Sequence, residues 1–103
     1  MGMIVIQGTI TTKPDKREAT IEACNKMRAA TIDEPGCLAY RFGFSTDDPT
    51  VLLVTEQWES EEAIKPHMTS PHMAEFGAAI GDIVGGPVDV TRFEVASSGP
   101  LFG

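Results

Sequence analysis

The stretch that decides the fold is Glu56–Phe76, EQWESEEAIKPHMTSPHMAEF. Up to Trp58 the apolar spacing is typical of a strand, and from Ser60 onward apolar residues recur at helical steps of three and four. Ser60 and Ser70 are both suited to cap a helix. The stretch also contains the only tryptophan and both histidines of the chain. We therefore expect the functional groups to gather where a strand passes into two short helical segments.

Strand and helix patterns alternate around this stretch in the order β-α-β-β-α-β. The first helical segment is expected to be short, because Pro66 cannot lie deep inside a helix unless the helix kinks there. The predicted strands are 3–12, 37–46, 50–58 and 88–95. The first helix begins at Pro14-Asp15, and its buried stripe is predicted to be Ile21, Cys24 and Met27. The last helix is predicted to end at Gly85-Gly86-Pro87. This order predicts an α+β, ferredoxin-like fold, with both helices on one face of a four-stranded antiparallel sheet.

The predicted strands carry apolar residues on both faces of the sheet. In the second strand, Leu38, Tyr40, Phe42 and Phe44 are expected on one face, with Cys37 and Ala39 on the other. In the third strand, Val51 and Leu53 are expected on one face, with Leu52, Val54 and Trp58 on the other. A sheet with one wet face normally shows polar alternation instead. A second copy of the same sheet is the simplest cover, so we predict a homodimer packed sheet to sheet. Residues 1–96 form one domain, and the tail 97–103 packs on the partner or, in a monomer, folds over its own sheet.

Composition limits the classes of function. The net charge of −7, from 8 basic and 15 acidic residues, disfavours nucleic acid and anionic membranes as partners. No apolar run approaches the roughly 20 residues of a membrane span, and the start lacks the features of a signal peptide. Cys24 and Cys37 do not form a disulfide framework, which favours a reducing cytoplasm.

The two histidines are the strongest candidates for chemistry. His67 falls at the end of one helix, where the dipole favours imidazolium, and His72 falls in the first turn of the next, where it favours neutral imidazole. Such a pair can divide acid and base roles, although half-exposed capping groups would look the same in sequence. Trp58 and Glu56 share one strand face, and Trp58 is equally suited to the core. With no third ligand at a recognisable spacing, and no nucleotide, flavin or C-x-x-C motif, we expect no metal and no cofactor.

Three segments in order carry a family resemblance: Glu34–Tyr40 (EPGCLAY), Glu56–Ser60 (EQWES), and His67 followed by Ser70–Met73 (SPHM). Together they resemble the antibiotic biosynthesis monooxygenase (ABM) family, and above all its small bacterial quinol-monooxygenase-like members. The resemblance extends over about residues 3–95. It implies a dimeric α/β barrel of ferredoxin-like protomers with a pocket between helices and sheet. It also implies oxygenation of quinols, phenols or polyketide-like aromatics by O2 without metal or flavin.

The implied reaction requires an ionised aromatic substrate held beside O2 in a dry pocket. We hypothesise that His67 or His72 takes the substrate proton, with Trp58 beside them. The expected substrate-binding residues are Gln7, Tyr40, Glu56 and Phe76. Two other functions remain open. One is an isomerase or processing enzyme of a small signalling metabolite, with Lys65 and Arg41 as phosphate ligands, and the other is a non-catalytic dimer that binds a small molecule.

Overall fold

The computed structural model describes residues 2–103 and has the predicted ferredoxin-like fold. Its elements are β1 (Ile4–Thr12), a 3-10 turn (Pro14–Lys16), α1 (Arg17–Thr31), β2 (Cys37–Phe44), β3 (Val51–Trp58), α2 (Glu61–Met68), α3 (Pro71–Ile83) and β4 (Val84–Glu94). The sheet has the order β2-β3-β1-β4, and all neighbouring strands are antiparallel. Among the described residues, no helix is both long and apolar enough to cross a bilayer.

The core lies between the helices and one face of the sheet. Its larger cluster joins α1, α2 and the three strands β1–β3 through Ile4, Met27, Tyr40, Trp58 and Ile64. Trp58 is fully buried in it. A second cluster continues along the same face through Ile10, Cys24 and Leu52. The site described below is built into the wider end, around Trp58.

The buried stripe of α1 differs by one position from the expectation. Thr20, Cys24, Met27 and Thr31 are buried, at steps of three and four, whereas Ile21 is 42% exposed. The opening turn is 3-10, and Thr20 is tied back to Lys16 by a 2.7 Å hydrogen bond from its hydroxyl to that carbonyl. Thr20 can be buried on this stripe because its hydroxyl bonds the preceding turn of its own helix. The Thr31 hydroxyl is also buried, and it has no hydrogen-bond partner among the described residues.

The helix that contains Pro66 is short, as expected. α2 begins at the predicted cap, where the Ser60 side chain accepts from Ala63 N, and it continues through Pro66 to Met68. Pro66 lies in the last turn of a short helix, so the helix loses only one backbone N–H hydrogen bond there. The loss is small because the hydrogen bonds at a helix end are incomplete in any helix. Two further residues of helix place His67 inside α2, on its buried side.

The expectation that Gly85-Gly86-Pro87 separates α3 from the last strand is wrong. β4 begins at Val84, directly after α3, and includes all three residues. The β1–β4 register shifts there, since Ile10 pairs with Val88 while Thr12 pairs with Val84. A side chain at Gly86 would meet the Thr11 methyl at 2.9 Å. The motif is therefore an irregularity in an edge strand, a place that accepts proline and glycine.

A bulge in β2 also changes one predicted face. The partners step from Cys37↔Trp58 to Ala39↔Gln57, which leaves Leu38 as an extra residue. Leu38 is 52% exposed while Tyr40 is 2% exposed, so the prediction that they share a face is wrong. A bulge inserts one residue and so reverses the alternation beyond it.

The sheet face turned away from the helices, here called the open face, keeps apolar side chains in solvent. Leu53 and Phe93 are 43% and 46% exposed on it. Beyond β4 the tail does not cover this face, since Leu101 and Phe102 are 87% and 89% exposed. The predicted apolar residues on both sides of the sheet are therefore present in the structure.

Candidate functional site

The centre of the candidate site is one carboxylate placed between two histidines. Glu34, in the loop between α1 and β2, has its Oε2 2.8 Å from His67 Nδ1 and 3.3 Å from His72 Nε2. A carboxylate can only accept a hydrogen bond, so His67 Nδ1 carries the hydrogen. The other ring nitrogen of neutral His67, Nε2, is then the basic one. Three separate segments of the chain thus meet in one group of side chains.

The loop sequence Glu34-Pro35-Gly36 explains how the carboxylate is positioned. Glu34 N donates to Thr31 O at 2.9 Å, which continues the end of α1. Gly36 has a φ of +84°, a conformation that favours glycine. Its carbonyl accepts from Glu59 N at 2.9 Å, and a side chain here would meet the Ala63 Cβ at 2.4 Å. The turn therefore packs directly on the start of α2, and it fixes Glu34 relative to the helix that carries His67.

Ser70 holds the two histidine-bearing helices together. Its hydroxyl donates to His67 O at 2.7 Å and accepts from Met73 N at 3.2 Å. The same side chain therefore closes the end of α2 and caps the start of α3, as the sequence predicted for the cap. The result is a tight junction in which the His67 and His72 rings lie 5.8 Å apart, centroid to centroid.

His67 is surrounded by aromatic side chains. Its ring lies 4.8 Å from that of Trp58 and 5.6 Å from that of Tyr40. It is 1% exposed, so it is not the half-exposed capping group that the sequence left open. His72, with a quarter of its side chain exposed, forms the boundary between this buried group and solvent.

A second buried acid lies beside the histidines. Glu56 Oε1 accepts a 3.0 Å hydrogen bond from Trp58 Nε1. Burial raises the pKa of Glu56, while the Trp58 hydrogen bond and nearby His67 offset part of that rise. Burial likewise raises the pKa of Tyr40, with a smaller contribution from Glu56, so its phenol stays protonated. The corner therefore holds hydrogen-bonding groups in dry surroundings.

A small apolar cavity between α1 and α3 reaches His72. Its volume is about 110 Å³. Its walls are formed by Ala23, Lys26, Met27, Ala30, His72, Glu75, Phe76 and Ala79. Three alanines keep the two helices close without filling the space, and Met27 connects the wall to the core cluster around Trp58. The cavity gives a route from solvent to the edge of the histidine pair.

The structure gathers most of the predicted site residues and separates one. Trp58, Tyr40, Glu56, His67, His72 and Phe76 all lie on the helix side of the sheet. Gln7 is exposed on the open face, where it lines a groove of about 550 Å³ with Arg41, Leu53 and Thr55. Successive strand residues point to opposite faces, and the neighbours Ile4 and Ile6 pack on the core. Gln7 and the histidines therefore cannot touch the same ligand within one protomer.

Glu34 is the residue that sequence inspection missed. The available signal was an acid in a tight Pro-Gly turn, inside a segment that carries the family resemblance. The expectation that no third ligand converges on the histidines is wrong, because ligand atoms of Glu34, His67 and His72 all lie within 4.8 Å of one another. The turn brings together residues 33 positions apart in the chain. No sequence motif with a fixed spacing predicts a contact over that separation.

Comparison with known proteins agrees with this architecture. Residues 3–79 match the family model described as "Antibiotic biosynthesis monooxygenase". The chain belongs to this family. An Escherichia coli relative named "Probable quinol monooxygenase YgiN" is 27% identical over 93 residues, covering 80% of this chain and 89% of the relative.

Other similar proteins extend the match along the chain. The Synechocystis sp. protein sll1783, whose name gives no function, is 29% identical over 98 residues, covering 95% of this chain and 67% of that protein. The solved structure of Rv0793 from Mycobacterium tuberculosis superposes with a TM-score of 0.86 at 26% identity. It covers 96% of this chain and 100% of that one. The family therefore supports a monooxygenase-like function and leaves the substrate unspecified.

Proposed function

We propose that the protein is a cofactor-independent monooxygenase that oxidises a small aromatic quinol, phenol or polyketide-like substrate with O2. The observation that carries the proposal is the Glu34 carboxylate held between His67 and His72 in an aromatic, water-poor corner. Such a group can remove a phenolic proton without a metal. Membership of the monooxygenase family supports the reaction class, and the name of the E. coli relative supports the quinol class of substrate.

We assign the role of general base to His72. It lines the cavity between α1 and α3, whereas His67 is buried behind it. A phenol in the cavity would give its proton to the His72 ring, and the Glu34 carboxylate would stabilise the imidazolium that forms. His67 would hold Glu34 in position through the 2.8 Å bond from its Nδ1.

The reaction balances without an external reductant. The phenolate transfers an electron to O2, and the pair recombines at a ring carbon that carries hydrogen. Loss of the O–O bond then leaves one oxygen atom as a carbonyl of the quinone. The other oxygen leaves as water with the phenolic hydrogen and the ring hydrogen. The protein supplies the proton acceptor, the orientation and a site from which bulk water is excluded.

The size of the cavity limits the substrate and requires movement. Its volume of about 110 Å³ is below the roughly 150 Å³ known to hold benzene. We propose that α3 moves away from α1 when the substrate enters, with Phe76 as the side chain displaced. Its ring packs 5.4 Å from that of Phe42, so it would remain part of the aromatic wall.

We further propose that two copies pair through the open face. Leu53 and Phe93 leave apolar surface there, and the groove beside Gln7 and Arg41 would be closed by a second sheet. The exposed tail, 97–103, would pack on the partner. The free thiols of Cys24 and Cys37 support a location in the reducing cytoplasm.

The alternative of a phosphorylated substrate gains no support from the basic residues. Arg41 lies on the open face and Lys65 is exposed on α2, so they do not converge on the histidines.

An experiment distinguishes catalysis from a role in binding alone. Chelator-treated protein would be given phenols and hydroquinones under air, and oxygen uptake and products would be followed. We expect uptake above the spontaneous rate. Binding without any product would reject the oxygenase proposal.

A further inference from the structure

We propose that Glu34, His67 and His72 also form a binding site for one divalent transition-metal ion of the Zn²⁺ type. A tetrahedral ion bound at about 2.0–2.2 Å places its ligand atoms about 3.3–3.6 Å apart. Glu34 Oε2 already lies 2.8 Å from His67 Nδ1 and 3.3 Å from His72 Nε2. All three donors lie within 4.8 Å of one another. To bind one ion, the imidazole rings must rotate toward each other, and the His67 hydrogen must move from Nδ1 to Nε2 so that Nδ1 has a free lone pair.

A nitrogen atom without a hydrogen-bond partner points to the same site. His72 Nε2 is buried, and it makes no hydrogen bond within the described residues. It lies 3.3 Å from Glu34 Oε2, but the two groups are not aligned as donor and acceptor. A buried polar atom left unpaired is costly and calls for a partner. An ion shared with Glu34 would use the lone pair of this nitrogen.

The chemistry of the donors defines the class of ion. Two imidazoles and one carboxylate are a ligand set of Zn²⁺ enzymes and of other late first-row metals, with an open position for water. Backbone contacts fix two of the three ligands: the Gly36 turn holds Glu34, and Ser70 holds the end of α2 that carries His67. Ligands held in this way lose little freedom on binding an ion.

Metal binding does not depend on the proposed oxygenation. A bound ion would occupy the lone pairs that the proton transfer uses, so we expect the two to exclude each other. Binding can be measured without substrate or O2. A failure of the metal site would leave the oxygenase proposal intact, and absence of oxygenase activity would not affect the measured binding.

The test uses untagged, chelator-treated protein. Co²⁺ would be titrated and followed by its visible absorption, with Zn²⁺ as the competitor. We expect one ion per chain, and at least tenfold weaker binding in Glu34→Gln and in His72→Ala. Glu75→Gln is the matched control, because this carboxylate lies on the same cavity wall but outside the three ligands. It should bind as the wild type does.

A measurement on the unmodified chain removes the dependence on folded variants. The protein has only two histidines, so every imidazole ¹⁵N resonance belongs to one of these two rings. Zn²⁺ should shift the resonances of both rings at one equivalent. Absence of Co²⁺ binding, equal binding in wild type, Glu34→Gln and His72→Ala, or unshifted ring resonances would each overturn the proposal.

Discussion

The two faces of the sheet differ in how their polar groups are used. On the helix side, Glu34, Glu56 and Trp58 are each bonded to a specific partner in a nearly dry corner. On the open face, Gln7 and Arg41 lie among exposed apolar side chains in a wide groove. Buried polar groups are costly unless they are paired, and in this corner the described residues leave His72 Nε2 as the exception. The helix side therefore has the character of a reaction site, and the open face has that of an interface.

The same strands supply both faces, which makes the comparison testable. In β3, Leu52, Val54, Glu56 and Trp58 are buried, while Leu53 and Gln57 between them are exposed. A substitution at one position can therefore be compared with one at the next residue, on the other face and in the same strand. Changes on the helix side should affect folding and chemistry. Changes on the open face should affect only association.

The largest expected effect is on stability, from Trp58→Ala. Removing this fully buried side chain should lower the free energy of unfolding by about 3–5 kcal/mol, because it leaves a cavity. The matched control is the exposed neighbour Gln57→Ala, with an effect within about 0.5 kcal/mol. Urea denaturation measures both. Trp58→Phe keeps an aromatic ring in the core but removes both the donor to Glu56 and part of the indole volume, so its loss should fall between those of Trp58→Ala and Gln57→Ala. Equal losses for Trp58→Ala and Gln57→Ala would contradict the contrast between faces.

The next effect is on catalysis, from Glu34→Gln. The amide keeps the size of the side chain but loses the charge that would stabilise an imidazolium. We expect oxygen uptake to fall about 100-fold, an increase of about 2.7 kcal/mol in the barrier. Gln7→Ala, on the open face, should retain near wild-type uptake when the dimer is intact. A Glu34→Gln enzyme with unchanged turnover would remove this carboxylate from the mechanism.

How far the sequence predicts the molecule depends on the range of the interactions. The order of elements, the Ser60 and Ser70 caps and the apolar residues of both faces follow from local patterns, and the structure has them. The exception is Gly85-Gly86-Pro87. Glycine and proline interrupt strands in general, but here they lie at an irregularity in an edge strand, where they are tolerated.

The site was less predictable than the fold for a related reason. Burial of His67 and its packing on Trp58 depend on how α2 docks, and Glu34 reaches it from 33 residues away. No periodicity records such a distance. The prediction of Gln7 as a site residue is wrong, because Gln7 alternates with Ile4 and Ile6 along the strand and therefore lies on the sheet face opposite to theirs. Residue alternation was a better guide there than the presence of a polar side chain in a central strand.

The third effect concerns association, from Leu53→Lys. A charge in the centre of the open face would be buried by the proposed partner sheet, so we expect the dimer to weaken about 10- to 100-fold. Ile21→Lys is the matched control, since Ile21 on α1 is exposed to nearly the same extent, 42% against 43%. Sedimentation equilibrium measures both. A monomeric wild type, or equal weakening by both substitutions, would reject the open face as the interface.

The smallest effect is a pH dependence of stability from Glu56. Burial raises the pKa of Glu56 above its usual value of 4.5 in the folded chain. The folded state therefore holds this proton more tightly than the unfolded state, and the contribution of Glu56 to stability is full below about pH 4.5 and decreases as the pH rises through the raised pKa.

Glu56→Gln keeps an acceptor oxygen for Trp58 Nε1 and cannot ionise. Its unfolding free energy, relative to wild type, should therefore increase as the pH is raised from 4 toward neutrality. Urea denaturation across that range measures the slope, with Gln57→Ala as the control that removes no ionisable group. A difference between Glu56→Gln and wild type that stays constant with pH would mean that the Glu56 carboxyl is as well solvated as one on the open face. The two faces would then differ in side-chain packing but not in how strongly they disfavour a charged carboxylate.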